Sequence, residues 1–346
     1  MDDQDLVAPL EQFLRARLPG EPALRVVGLE RSTEGFSQET FSFDVETPGK
    51  RRGFVVKREP LAGLLEPYDL EPEFRVLHAL SSDPLPSPPT PWFERDPAVL
   101  ERPFYVMERL PGHVPIPVAG PDGAGPFTDA ERGALAPEVV GALARLHGID
   151  WLAAGLDFLG NPGTGRAAAA RELGRWEARI AASGLPVDPP LAEALGWLRT
   201  HVPATGEITL VHGDYRLGNF LITRQAGRAR LTGVLDWEMV HLGDPLEDVA
   251  WCISPLWRGG TAYASGLLEP DDFVARWAEA SGRTGDADRL RFYEVLAVVK
   301  MAAIMLTGLR AFRDARTRDL RMAIFDHQLP YLYLLLGMLR GWIGGL

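Results

Sequence analysis

The stretch ITLVHGDYRLGNFLITRQAGRARLTGVLDWEMV (208–240) concentrates the residue types that could do chemistry. Leu210-Val211 reads as the end of a buried strand and runs directly into His212-Gly213-Asp214, with Asn219 five residues after the aspartate. Apolar runs at 220–223 and 231–235 flank a turn, and Asp236-Trp237-Glu238 closes the second run. A hairpin of that length can bring Asp214, Asn219 and Asp236 around one point. Transfer of a phosphoryl group from ATP to a hydroxyl needs a carboxylate beside the attacking oxygen and hard oxygen ligands for Mg2+. Asp214 would orient the hydroxyl and accept its proton. Asn219 and Asp236 would hold the metal, which spreads the charge building on the transferring oxygens. Taken singly, Asp214 and Asn219 are ordinary turn residues; the set and its spacing carry the reading. The chain has only two asparagines, and three lysines against 33 arginines, so an apt placement of either type weighs more than usual.

Such chemistry also needs a cation that reaches the phosphates. FVVKRE places Lys57 after three apolar residues, on a strand candidate at 53–58. Lysine is a compact charge suited to that contact, although the usual fate of a strand-end lysine is a solvated edge. One hairpin upstream lies STEGFSQET (32–40) with the single glycine Gly35. Its backbone N–H groups and the hydroxyls of Ser37 or Thr33 could cap phosphates in a tight turn; the alternative is a plain hairpin loop.

The elements that must position these residues read as an α+β chain. Segments 24–31, 39–46 and 53–58 are short, β-branched or aromatic, and TPGKRR joins the last two through a Pro48-Gly49 turn, which predicts an antiparallel hairpin. LEPEFRVLHAL (70–80) has its apolar residues at helical spacing. A proline-rich connector (83–91) leads to strands at 91–95 and 104–110. Residues 1–110 therefore form a small antiparallel sheet with one helix, ending at MERLPG. Beyond Gly112, the loop at 113–127 is too rich in Pro and Gly for regular structure. Helices are predicted at 129–147, 167–183, 191–201, 271–280, 288–313 and 317–343, the last broken at Pro330. Residues 112–346 are a larger, mostly helical lobe, and the cleft between the lobes is a natural place for a ligand.

LVHGDYRLGNFLI, GVLDWEMVHLGDPLEDVAW, FVVKRE and YVMERLPG together resemble the aminoglycoside phosphotransferase family, ATP-dependent small-molecule kinases with a bilobal protein-kinase-like fold. The resemblance covers nearly the whole chain. It implies Asp214 as the catalytic aspartate, Asn219 and Asp236 as Mg2+ ligands, and Glu73 as the partner that holds Lys57 extended. It also implies a hinge at about 107–111, where the backbone of Met107, Glu108 and Leu110 meets the adenine of ATP. Glu238 stands where the family often has an aspartate, and either assists the metal through water or solvates the loop. His212 reads as a packed brace, and Asp248 could accept backbone N–H groups of the loop that carries Asp214. The apolar segment 292–312, interrupted by Lys300, is similar to the branch related to the kinase domain of acyl-CoA dehydrogenase fusion proteins, whose acceptors are hydroxyacyl-CoA compounds. The acceptor is expected to be a small hydroxylated molecule, aminoglycoside-like or hydroxyacyl-CoA-like. Lys300 either touches that acceptor or, as lysines on helices commonly do, snorkels to solvent.

Composition narrows the field. A formal charge of −11 argues against binding to nucleic acid or to an anionic membrane surface. Cys252 is the only cysteine, which excludes an intramolecular disulfide and a multi-thiolate metal site. The opening MDDQDLVAPL lacks the charge and apolar pattern of a secretory signal, and no uncharged apolar run reaches membrane-spanning length. The expectation is a cytoplasmic protein with neither a nucleic-acid nor a membrane partner, and its oligomeric state stays open. Two other readings remain. One is a nucleotide-binding regulatory protein without turnover. The other is a metal-dependent hydrolase built on His212, Asp214, Asp236, His241 and Asp244, which leaves Lys57 and the first lobe unexplained.

Overall fold

The computed structural model describes residues 3–32, 38–116, 125–225 and 227–341. Helix α1 (Val7–Arg17) precedes strands β1 (Arg25–Arg31), β2 (Glu39–Thr47) and β3 (Lys50–Arg58). Helix α2 (Glu71–Ala79), β4 (Trp92–Glu94), the one-turn α3 (Pro97–Leu100) and β5 (Phe104–Glu108) complete the smaller lobe. The strands make one antiparallel sheet in the order β1-β2-β3-β5-β4. Side chains alternate across it. Phe41, Phe43, Phe54, Val56, Phe104 and Val106 bury against Leu10, Phe13 and Leu14 of α1. The opposite face, with Tyr105 and Met107, joins Val76 and Leu77 of α2 in the main core. Lys57 pairs across the ladder with Tyr105 and so lies on the α2 face. Besides the one helix expected, the lobe thus carries α1, whose buried Leu10, Phe13 and Leu14 follow a helical repeat, and the short α3.

The larger lobe continues with α4 (Asp129–His147), α5 (Ala167–Ser183) and α6 (Pro189–Thr200), then β6 (Thr209–Val211), β7 (Phe220–Gln225), β8 (Arg228–Val234) and β9 (His241–Gly243). Helices α7 (Leu246–Ile253), α8 (Pro270–Ser281), α9 (Ala287–Arg313), α10 (Leu320–Ala323) and α11 (Phe325–Leu339) follow. Helix α4 starts where a capping box forms: Thr128 Oγ1 accepts from Glu131 N, and the Glu131 carboxylate accepts from Thr128 N. Helix α9 packs against α5, α6, α7, α10 and α11 and forms the centre of the lobe. By length and hydropathy it could cross a membrane, yet 67% of its apolar window is buried inside the protein.

Two expectations are corrected here. Asp214 and Asp236 do not extend from a single ribbon: β6 pairs with β9, and β7 pairs with β8. β9 is three residues long, too short to leave a period in the sequence. The C-terminal helical stretch breaks at Ile324, between α10 and α11, and Pro330 lies inside α11. There, early in the helix, proline removes one hydrogen bond without ending it.

The connector between β3 and α2 (59–70) crosses from the small lobe to the large one. Arg179 on α5 donates to the carbonyls of Glu66 (2.9 Å) and Leu65 (3.2 Å), and Arg316 pairs with the Glu66 carboxylate. Leu64 seats over Gly308 of α9, where a Cβ would come within 2.5 Å of Leu64 Cδ2 and 2.8 Å of the Phe325 ring. Downstream of β5 the chain joins the lobes a second time. Thr232 Oγ1 donates to Pro111 O (2.6 Å), and His113 pairs with Ile222 of β7.

Candidate active site

Strand β3 carries Lys57 into the cleft, with only 5% of its surface exposed. Its ammonium donates to Glu73 Oε1 on α2 (3.1 Å) and to Asp236 Oδ1 just past β8 (2.6 Å). Burial works against the charge on Lys57, but the carboxylates of Asp236 and Glu73 outweigh it and hold its pKa well above the usual lysine range. Burial likewise works to raise the Asp236 carboxyl, and Lys57 overturns that and keeps it low. Glu73 is fixed in turn, accepting from Gln38 Nε2 (2.8 Å) and from Trp237 N (3.2 Å). Asp236 holds a left-handed backbone (φ 62), a conformation that aspartate tolerates better than most residues. Its side chain remains 34% exposed, so one face of the carboxylate is open to a ligand.

The β6–β7 loop presents Asp214. Its Oδ1 accepts from Arg216 Nε (2.8 Å) and Trp251 Nε1 of α7 (2.6 Å), and its Oδ2 accepts from Asn219 Nδ2 (2.6 Å). Asn219 Nδ2 also donates to the Asp214 carbonyl (2.8 Å). Both partners are acceptors, which fixes the nitrogen end of the amide and turns Asn219 Oδ1 away from Asp214. Leu235 N donates to Asn219 O (2.8 Å), tying the backbone beside Asp236 to the same loop.

Asp248, fully buried at the start of α7, clamps this loop from behind. It accepts from His212 N and Gly213 N, each at 2.8 Å, and from His147 Nε2 at 3.2 Å. Trp277 Nε1, a donor only, points at His147 Nδ1 (3.1 Å), so the ring proton of His147 sits on Nε2 and is given to Asp248. Burial tends to raise the Asp248 carboxyl, and the His147 hydrogen bond reverses this and lowers it. Burial pulls the His212 imidazole down, in keeping with its Nδ1 accepting from Asp214 N (3.1 Å). Gly213 has φ 82, and a Cβ there would come within 2.6 Å of Met239 O, so no larger residue fits between His212 and Asp214.

Lys57, Glu73, Asp214, Asn219 and Asp236 thus converge, and Asp214 and Asp236 line one cavity of about 240 Å³. Arg216 and Glu238 also reach it, and the rest of its wall is apolar: Leu64 and Leu65 of the crossing connector, Met239, Trp251 and Trp257, and Met301, Ile304, Met305 and Phe325. An open carboxylate face on Asp236 and the amide oxygen of Asn219 are hard donors of the kind Mg2+ takes. Met107 is buried and Glu108 exposed at the end of β5, where Glu108 N is used by Pro89 O (2.8 Å) and Arg109 N by Gly53 O (2.9 Å). Gly35 and Ser37 lie outside the described residues.

The five-residue hydrolase cluster does not assemble. His241 turns away to Glu247 (3.1 Å) and Met239 O (2.9 Å), and Asp244 pairs with Arg289 (2.6 Å) and caps Leu246 N. Lys300 neither snorkels nor reaches the cavity; it is 2% exposed and meets Gly213 O. Arg216, two residues after Asp214, and Trp251, which reaches Asp214 only because α7 folds back, carry no motif of their own in the sequence.

A sheet lobe that carries a buried Lys–Glu pair, facing a helical lobe with an Asp/Asn loop, defines the protein-kinase-like class. Within it the chain belongs to the phosphotransferase enzyme family, which it matches over residues 29–293. Acyl-CoA dehydrogenase family member 10 of Mus musculus is 32% identical over 308 residues, covering 86% of this chain and 27% of the relative. Acyl-CoA dehydrogenase family member 11 of Rattus norvegicus is 30% identical over 312 residues, with 86% and 38% covered. The chain therefore spans about a third of the length of these curated relatives. Among solved structures, an aminoglycoside phosphotransferase candidate from Ralstonia eutropha matches with a TM-score of 0.71 at 26% identity, covering 96% of this chain and 99% of that one. An ethanolamine kinase of Plasmodium vivax matches with a TM-score of 0.62 at 12% identity, covering 96% and 87%, and shares the fold.

Proposed function

We propose that this phosphotransferase is an ATP- and Mg2+-dependent kinase of a small hydroxylated molecule. The observation that carries the reading is Lys57, buried in the cleft and bonded at once to Glu73 and to Asp236 beside the Asp214–Asn219 loop. Lys57 would meet the phosphates, and Glu73 keeps its long side chain extended toward them. Asn219 Oδ1 and Asp236 would hold Mg2+, which neutralises charge on the phosphate oxygens. Asp214, held from three sides, would orient the acceptor hydroxyl and take its proton as the oxygen bonds to the γ-phosphorus and the bond to the bridging oxygen of ADP breaks. Met107 to Leu110 would receive the adenine. With every member of the set present, turnover is favoured over a purely regulatory role.

The apolar wall of the cavity favours one of the two expected acceptor types. Leu64, Leu65, Met301, Ile304, Met305 and Phe325 suit a hydroxylated acyl chain and offer little to a polycationic sugar. The acyl-CoA dehydrogenase names of the relatives accord with this preference. We infer a cytoplasmic setting for this activity. Calorimetry of Mg·ATP binding, together with ADP release across hydroxyacyl-CoA esters, hydroxylated metabolites and aminoglycosides, tests it. Asp214→Ala is expected to keep ATP binding and lose turnover, and Lys57→Ala to weaken binding. Full activity in Lys57→Ala would refute the proposal.

A further inference from the structure

Three lysines occur in the chain, and Lys300 is the one placed at the heart of the helical lobe. From α9 its ammonium donates to Gly213 O (2.5 Å) and pairs with Glu247 Oε1 of α7 (3.3 Å). It rests over the ring of Trp251 at 4.4 Å, and that indole N–H is the one bonded to Asp214 Oδ1. The peptide between Gly213 and Asp214 is consequently held at both ends. Its carbonyl goes to Lys300, and its N–H goes to His212 Nδ1 (3.1 Å). We propose that Lys300 is a positioning residue for Asp214, an ion-paired strut that fixes the orientation of the Gly213–Asp214 peptide and of the Trp251 indole together.

A buried ammonium is costly unless paired and hydrogen-bonded, and this one has a dedicated counter-charge. Glu247 Oε2 meets His241 Nε2 (3.1 Å), Glu172 Oε2 lies 3.8 Å from the same nitrogen, and Glu172 Oε1 accepts from Trp176 Nε1 (2.6 Å). Ligand atoms of Glu172, His241 and Glu247 lie within 4.8 Å of one another, a spacing a metal could use. Positive charge is already supplied there by Lys300 and by Arg175, 3.5 Å from Glu172. The cluster therefore serves as the anionic seat of the strut. A neutral donor in place of Lys300 would satisfy the Gly213 carbonyl but would leave Glu247 Oε1 without its ammonium and Trp251 without the charge on its face.

The inference rests on the reading of Asp214 as the catalytic carboxylate, and the test separates the two. The pair Lys300→Met with Glu247→Gln removes both charges while keeping side-chain volume, and Lys300→Met alone accompanies it. The double variant is expected to melt within a few degrees of the wild type and to bind Mg·ADP with unchanged affinity by calorimetry. Its ATP hydrolysis, with water as acceptor, should show a kcat lower by about 10- to 100-fold at unchanged KM for ATP, the scale of a misplaced catalytic group. Amide hydrogen exchange should rise in peptides spanning 210–219 and stay low in α9. Wild-type kcat with unchanged exchange would overturn the proposal. So would a kcat loss matched by a proportional loss of Mg·ADP affinity and melting temperature, which marks general structural damage. A tightly bound metal ion that His241→Ala releases would overturn it too. If the wild type neither binds Mg·ADP nor hydrolyses ATP, the phosphotransfer reading falls, and the exchange data still decide the role of Lys300.

Discussion

Asp248→Asn is the most informative single change, because one carboxylate supports three donors and none of them lines the cavity. Oδ1 takes Gly213 N; Oδ2 takes His212 N and His147 Nε2. An asparagine offers one oxygen and one NH2. In its better orientation the oxygen keeps His212 N and His147, and the NH2 faces Gly213 N, donor against donor. One buried N–H then loses its acceptor, at about 1–3 kcal/mol, and two charge-assisted bonds weaken to neutral ones. A total near 3 kcal/mol, spread over the unfolding entropy of a chain this long, lowers the melting temperature by about 4 °C. Gly213 is the residue before Asp214, so its displacement moves the carboxylate proposed to orient the acceptor and should lower kcat by about 10- to 100-fold. Scanning calorimetry and steady-state ATP turnover read the two effects, and the Mg·ADP affinity should not change. A variant that melts within 1 °C of the wild type with full kcat would refute the clamp.

Three further outcomes are expected. Arg216→Met removes the guanidinium that donates to Asp214 Oδ1 (2.8 Å) and rests over Trp257 (4.4 Å); a charge-assisted bond of about 1.5–3 kcal/mol lost in the transition state lowers kcat/KM by roughly 10- to 100-fold. Gly308→Ala drives a methyl group into Leu64 and Phe325, two walls of the cavity. Overpacking of about 1–3 kcal/mol, partly offset by better helix propensity, should raise KM for the acceptor and leave that for ATP unchanged. The third concerns pH. Burial works against a charged His241, and Glu172 and Glu247 reverse this and raise its pKa. Its protonation thus stabilises the fold fully below about pH 6.5, and that contribution is lost as pH rises through the elevated folded value. Melting temperature should decline above pH 6.5 in the wild type and decline less in His241→Gln.

Local signals made much of the architecture legible. Helices α4 and α5 fall on the predicted 129–147 and 167–183. The β2–β3 hairpin follows its Pro-Gly turn, and Lys57 meets Asp236 beside the loop that joins Asp214 to Asn219. Asp248 accepts from backbone N–H groups of the loop that carries Asp214, those of His212 and Gly213. What escaped depends on contacts between distant segments. β9 has three residues and exists only because β6 lies beside it. Lys300 sits in an apolar run that reads the same whether the ammonium faces water or a carbonyl 87 residues away. Leu64 and Leu65 belong to a connector without periodicity, and nothing in their neighbours reveals that they line the cavity.

That connector has a practical meaning. It is covalently continuous with the strand bearing Lys57, yet it is anchored to α5, α9 and the segment after α9. Any swing of the sheet relative to the helices must tug on the Leu64–Leu65 wall of the cavity, the wall proposed to take the acceptor. A hybrid enzyme that borrowed its sheet half from a cousin would inherit a foreign pocket wall as well, and would change its substrate taste without one altered residue in the helical half.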